Sequence, residues 1–105
     1  MTRKTLPNRR PSITVEAEWS GHPFTVTVGY DPETGKASEV FADTAKGGQM
    51  QETIRDACVL ASKLLQHGEE PADLPKSLGR VPDYTGAEDY ASPIGKIAEI
   101  VAGAA

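Results

Sequence analysis

The fold is decided by residues 12–30, which read SITVEAEWSGHPFTVTVGY. In the first half of this stretch apolar and polar side chains alternate, as in a strand with one buried face, and the apolar set is Ile13, Val15, Ala17 and Trp19. The second half alternates in the same way, with an apolar set of Phe24, Val26, Val28 and Tyr30. Because the turn between the halves, Ser20–His22, contains glycine, the stretch predicts a β-hairpin.

A third strand and a long helix are predicted next. Residues 31–36, DPETGK, are typical of a turn, since proline presets φ early and glycine accepts a positive φ late. Residues 37–42 follow as the third strand of an antiparallel meander. The apolar period then changes to steps of three and four, which indicates one stripe of an amphipathic helix; its members are Met50, Ile54, Ala57, Cys58, Ala61, Leu64 and Leu65. His67 and Gly68 are typical of a helix end.

The rest of the chain predicts shorter elements. Residues 71–78 indicate a short helix or turn interrupted by Pro75, and residues 79–90 a loop without period. Ser92 and Pro93 are a cap and a first helical residue, and the last helix that they open is expected to fray at Gly103 and the terminal alanines. The predicted fold class is α+β: a three-stranded antiparallel meander packed against one long helix and a shorter C-terminal helix.

Size and charge limit the organisation of the chain. With 105 residues it holds one domain, predicted at residues 11–102, preceded by a flexible basic arm at residues 1–10. That arm is either a solvated tail or a clamp for phosphate or an acidic partner surface. The net charge of −4 argues against nucleic-acid binding by the whole surface. A single cysteine and the lack of a signal peptide or long apolar run predict a cytoplasmic protein without a membrane partner.

Few residues indicate chemistry. Cys58 is the single cysteine, and its place on the apolar helix stripe predicts a buried, inert thiol. Zinc is not expected, since the Cys and His residues number three and are spread along the chain. We therefore expect no catalytic residue, no metal and no cofactor. Lys46, Gly47 and Gly48 precede the long helix, where free amides and a lysine favour a phosphate; the alternative is a sharp strand-to-helix turn. With Arg9 and Arg10 they form the candidate ligand-binding set.

Several short motifs, in order, resemble one family. Residues 6–14, LPNRRPSIT, resemble the Leu-Pro-x-x-Arg-x-Ser-Ile-Thr start of the carboxy-terminal domain of adenosylcobalamin-dependent ribonucleotide reductases, called the TSCPD domain. The hairpin residues Gly21-His22 and TVTVG (25–29) resemble its Gly-His and Ile-Thr-Val-Gly. Further matches are EVF (39–41), AKGG (45–48), LLQHG (64–68), YTG (84–86) and SPI (92–94).

The resemblance implies a stand-alone accessory or binding domain associated with deoxyribonucleotide metabolism, of bacterial or phage type. The family's radical-site cysteines and cobalamin site belong to other domains, and its terminal redox cysteine pair has no counterpart in this sequence. The partners it implies are a ribonucleotide reductase catalytic chain or a nucleotide. The alternatives are a nucleic-acid-binding or protein-interaction module that kept the fold only, and a subunit acting in trans with a catalytic chain. The short sheet predicts either a monomer or a dimer through an edge strand.

Overall fold

The computed structural model of the chain describes residues 3–44 and 48–104. Its main sheet is an antiparallel meander of β1 (Ser12–Trp19), β2 (His22–Tyr30) and β3 (Ala37–Thr44), in that order. The register pairs Val15 with Val26 and Val28 with Val40, so the apolar sets of the three strands share one face. The predicted α+β class is confirmed.

Two helices and a short 3-10 turn accompany this sheet. The long helix α1 is Gln49–Gln66, the 3-10 turn is Pro71–Asp73 and the C-terminal helix α2 is Pro93–Ala104. One core joins the apolar sheet face to both helices; its most buried members are Val26, Val28, Ile54 and Val101. Among the described helices, none combines the length and apolar character needed to cross a membrane.

The α1 helix closes one edge of the sheet with polar side chains. The Ser62 hydroxyl accepts a hydrogen bond from the Val40 N–H at 3.0 Å and donates one to the Val40 carbonyl at 3.1 Å. One turn further along α1, the Gln66 amide donates to the Ser38 carbonyl at 3.1 Å. Four residues of a helix span about 6 Å and two residues of a strand about 6.6 Å. Side chains four residues apart on α1 can therefore reach alternate residues of β3. Strand addition at β3 is therefore blocked, and a dimer formed through an edge of this sheet has to use β1.

The prediction of a loop at residues 79–90 was wrong. This segment holds a second, two-stranded sheet of β4 (Arg80–Pro82) and β5 (Glu88–Tyr90). The Asp83 carboxylate shapes the turn by accepting from the backbone N–H groups of Thr85 at 2.8 Å and Ala87 at 3.2 Å. Three-residue strands are too short to show a period, and this hairpin is anchored by contacts distant in sequence.

Tyr90 supplies that anchor. Its side chain is buried against α2, and its carbonyl accepts a hydrogen bond from Trp19 Nε1 at 2.9 Å. Gly95 lies so close that a Cβ there would stand 2.6 Å from Tyr90 Cδ1. The Arg80 guanidinium lies 4.7 Å from the centre of the Tyr90 ring and also donates to its hydroxyl at 3.0 Å. The second sheet is thus fixed to α2 and to the end of β1.

Both ends of α2 are held. The Ser92 hydroxyl accepts from the Gly95 N–H at 3.4 Å, which agrees with the predicted cap. At the other end the Tyr30 hydroxyl donates to the Ala104 carbonyl at 2.6 Å. The helix extends to Ala104, where this bond supplies a partner for a terminal helix carbonyl. The expected fraying from Gly103 onward stays a prediction.

Candidate ligand-binding site

The first basic residues of the chain contact the main domain. The Lys4 N–H donates to the Gln66 carbonyl at 3.0 Å, and the Arg3 guanidinium donates to the Gln66 side chain. Lys4 Nζ lies 2.5 Å from Asp31 Oδ2 and 2.9 Å from Glu33 Oε2. These bonds tie residues 3 and 4 to the C-terminal end of α1 and to the β2–β3 turn. The flexibility of residues 1–10 stays a prediction.

The ion pair of Lys4 changes the proton affinity of both partners. The hydrogen bond from Lys4 lowers the pKa of Asp31, and a second bond, from the Glu33 N–H, acts in the same direction. The same bond to Asp31 raises the pKa of Lys4. Asp31 is 2% exposed, so its carboxylate takes its partners from within the domain.

Arg10 is engaged in a two-pronged ion pair. Its Nη2 lies 2.8 Å from both carboxylate oxygens of Glu39, and its Nη1 donates to the Pro7 carbonyl at 2.8 Å. Gly29 is paired with Glu39 in the sheet, and a Cβ at Gly29 would come 3.1 Å from Glu39 Oε1. The absent side chain leaves room for this pair on the outer sheet face. The charge of Arg10 is thereby matched before any ligand arrives.

Arg9, next in the chain, is exposed. Within the described residues its side chain has no hydrogen bond or ion pair, so its guanidinium is available to an external anion. Of the two arginines in the candidate set, Arg9 is the one with free donors, and the clamp on Arg10 fixes the backbone beside it.

Gly48 begins the long helix. Its φ of 105° lies in the region that favours glycine, and its carbonyl accepts the first helical bond, from the Glu52 N–H at 3.2 Å. Among the residues that the structure describes, no side chain caps the first turn, so its amides have no side-chain partner there. Lys46 and Gly47 lie outside the described residues.

The two halves of the candidate set stand at different ends of β3. Arg10 meets Glu39, near the start of the strand, whereas Gly48 follows its end at Thr44. Thr44 is five residue steps along the strand from Glu39, a distance of about 16 Å. A single phosphate group cannot reach both halves, so a ligand that uses both has to be extended.

The described histidines and the cysteine stand apart from this set. Burial raises the pKa of Cys58 to about 11, against an opposing hydrogen bond with the backbone of Ala42. The prediction of a buried thiol is confirmed. His22 stacks near Trp19 at 6.4 Å between ring centroids, and His67 ends α1. Within residues 3–44 and 48–104, no three or more His, Cys, Asp or Glu side chains are grouped as metal ligands would be.

The aromatic residues of β1 and β2 pack inward. Phe24 is buried in the core, and Trp19 and Tyr30 pack against the core and donate to the carbonyls of Tyr90 and Ala104. A single-stranded nucleic acid would need these rings on an open surface for stacking. Their position disfavours the nucleic-acid alternative on this face of the sheet.

An apolar groove between α1 and α2 was missed by the sequence reasoning. It encloses about 310 Å³ and is lined by residues that include Leu60, Leu64, Leu74, Leu78 and Ile94. The sequence predicted a single apolar stripe on this helix, yet two of its members are exposed, Leu64 by 52% and Met50 by 43%. The signal that could have found this surface is the spacing of residues 50, 53, 57, 60 and 64, which forms a second row beside the buried one.

Comparison with known proteins places the chain in a family. Residues 1–103 match the TSCPD domain, so the chain belongs to the TSCPD domain family and the resemblance seen in its motifs is confirmed. It is a domain like the one at the carboxy terminus of ribonucleotide reductases. No curated protein and no solved structure matched the chain.

Proposed function

We propose that this chain is a stand-alone accessory binding domain of deoxyribonucleotide metabolism, without catalytic residues of its own. The observation that carries the proposal is the family match, which spans nearly the whole chain. The expected partner is a ribonucleotide reductase catalytic chain or a nucleotide, in the cytoplasm. The expected contacts are Arg9, Arg10 and the joint at residues 46–48.

The state of the single cysteine supports a binding role over thiol chemistry. Reduction of a ribonucleotide by a radical route needs thiols that donate electrons, and thiolates are the reactive form of cysteine. Cys58 is 3% exposed and its pKa is raised to about 11, so its sulfur is protonated and shielded at neutral pH. In the proposed function, Cys58 is a packing residue of the core and takes no part in chemistry.

The geometry of the two contact regions favours an extended partner. Arg9 offers an unmatched guanidinium near the start of β3, and the uncapped amides of α1 lie beyond its other end. Asp43 lies near those amides. Its carboxylate accepts a hydrogen bond from the Gln51 side-chain amide at 3.0 Å and lies 3.6 Å from the Arg55 guanidinium. This carboxylate opposes a small free anion at the helix start. A protein surface that meets both regions is therefore favoured over a lone phosphate.

An amide chemical-shift titration tests the proposal. Labelled protein is titrated separately with ribonucleotides, deoxyribonucleotides, a short single-stranded DNA and a ribonucleotide reductase catalytic chain. We expect shifts at Arg9, Arg10 and Gly48 with the catalytic chain or with nucleotides. An Arg9→Ala variant should weaken that binding.

Lys96→Ala is the matched control, since Lys96 is a surface cation of α2 that pairs locally with Glu99 at 3.3 Å. It should leave binding unchanged. If none of the titrants moves the three amides, the proposed contacts are wrong. If only DNA binds, with retention that falls steeply as salt rises, the nucleic-acid alternative replaces the proposal.

A further inference from the structure

The α1 helix carries a second, largely apolar row that the domain leaves mostly uncovered. Its members are Met50, Thr53, Ala57, Leu60 and Leu64, with successive steps of three and four residues; Ala57 is half-buried and the other four are exposed. This is the spacing by which one helix packs along another in a coiled coil. Leu60 is 63% exposed, the highest value among the large aliphatic side chains of the described chain. The row is distinct from the core row, whose buried members are Ile54, Cys58, Ser62 and Leu65.

The row opens into the apolar groove. Leu60 and Leu64 form its α1 wall, and Leu74, Leu78 and Ile94 continue the apolar surface onto the 3-10 turn and α2. The exposed leucines and the groove lie side by side on one face. A partner that also presented protruding leucines beside a groove would fit this face, and the chain itself is such a partner.

Two charged residues make the face self-complementary. Asp56 and Lys63 border the row on the side away from the core, both are exposed, and neither has an ion-pair partner within the described residues. They are seven residues apart, two turns of helix, so they lie on the same side of α1. In an antiparallel pair of α1 helices, Asp56 of each copy would face Lys63 of the other.

We propose that the protein forms a two-fold symmetric dimer through this face of α1. The symmetry axis crosses the helix midway between Asp56 and Lys63, at the level of Leu60. The most exposed leucine is thus at the centre of the interface and the two ion pairs are at its flank, where they fix the register. Because the axis falls near the middle of α1, most of this helix would lie alongside α1 of the other copy. The centre of this surface, at Leu60, lies twelve residues along α1 from Gly48, which is about 18 Å. The inference therefore does not depend on the proposed function.

Sedimentation equilibrium of the full chain, with variants, tests the dimer. The wild type should show a concentration-dependent monomer–dimer equilibrium. Leu60→Lys should raise the dimer dissociation constant at least about tenfold, since each interface loses two buried leucines and gains two facing charges. Phe41→Lys is the matched control: Phe41 is 48% exposed on the outer sheet face, and its replacement should leave the dimer intact.

Charge exchange tests the register. Asp56→Lys alone and Lys63→Asp alone each place like charges opposite one another and should weaken the dimer. The double variant, with both changes, restores opposite charges and should recover it. Far-ultraviolet circular dichroism checks that each variant keeps its helices. A wild type that stays monomeric, or single variants that associate as tightly as the wild type, would overturn the inference.

Discussion

Gly95→Ala is the substitution for which the structure gives the sharpest expectation. A Cβ at position 95 would lie 2.6 Å from Tyr90 Cδ1 and 2.8 Å from Tyr90 Cβ and Cγ. Tyr90 cannot rotate away, because its Cβ is among the clashing atoms and its carbonyl is bonded to Trp19. The new methyl group therefore has to move α2 relative to β5.

The magnitude follows from two opposing effects. Overpacking of a filled site costs about 1–3 kcal/mol. Alanine in a helix gains about 0.5–1 kcal/mol over glycine, which offsets part of that cost. We expect the free energy of unfolding to fall by about 1–2 kcal/mol, and the Tm by roughly 4–8 °C for each kcal/mol at this chain length. Urea denaturation followed by circular dichroism measures the change.

Gly103→Ala is the matched control in the same helix. A Cβ at position 103 meets no atom within 4 Å. The same chemical change should therefore be neutral or stabilise the protein by up to about 0.5 kcal/mol. Comparing the two changes in the free energy of unfolding separates the effect of packing at position 95 from the effect of helix propensity. If Gly95→Ala matches or exceeds the wild type in stability, the close packing of Tyr90 on α2 is refuted.

Three further predictions concern single side chains. Ser62→Ala leaves the Val40 N–H and carbonyl without partners and should cost about 1–3 kcal/mol in urea denaturation; a loss below about 0.5 kcal/mol would mean that water replaces the hydroxyl. Cys58, with a pKa of about 11, should react with a disulfide reagent at pH 8 at least about 100-fold more slowly in the native protein than in urea, and a native rate within tenfold of the unfolded one would contradict its burial. The lowered pKa of Asp31 stabilises the fold above its ordinary value of 3.8, and this contribution is lost as pH falls through the lowered pKa. Asp31→Asn should therefore be less stable than the wild type at pH 7, with the gap closing on acidification; a gap that is constant from pH 7 to the acid range would refute this.

The sequence predicted the elements whose periods are long enough to read. β1 and β2 alternate over eight or nine residues, and α1 repeats over about five turns, so their faces could be assigned before their partners were known. The β4–β5 hairpin could not be found in this way, because Tyr90 is held by Trp19 and α2, far away in sequence.

The candidate site was harder to predict for a related reason. Arg10 and Glu39 are 29 residues apart, and only the pairing of β1, β2 and β3 brings them together across Gly29. The sequence suggested that Arg9 and Arg10 act as one basic pair. In the structure their surroundings differ, because Arg10 is paired with Glu39 and Arg9 is exposed. Ser62 was missed because a polar residue inside an apolar stripe looks like an exception, although its hydroxyl satisfies the backbone of an edge strand.

Side chains of α1 occupy the free edge of β3, so aggregation of this protein should depend on whether α1 stays docked. While α1 is in place, the outward-facing polar groups of Ser38 and Val40 are occupied by side chains of the helix. If α1 lifts away, β3 becomes an open template onto which another chain can add. Fibril formation or precipitation should therefore follow the free energy of this local opening, and weakening the docking of the helix should accelerate aggregation before the whole domain unfolds.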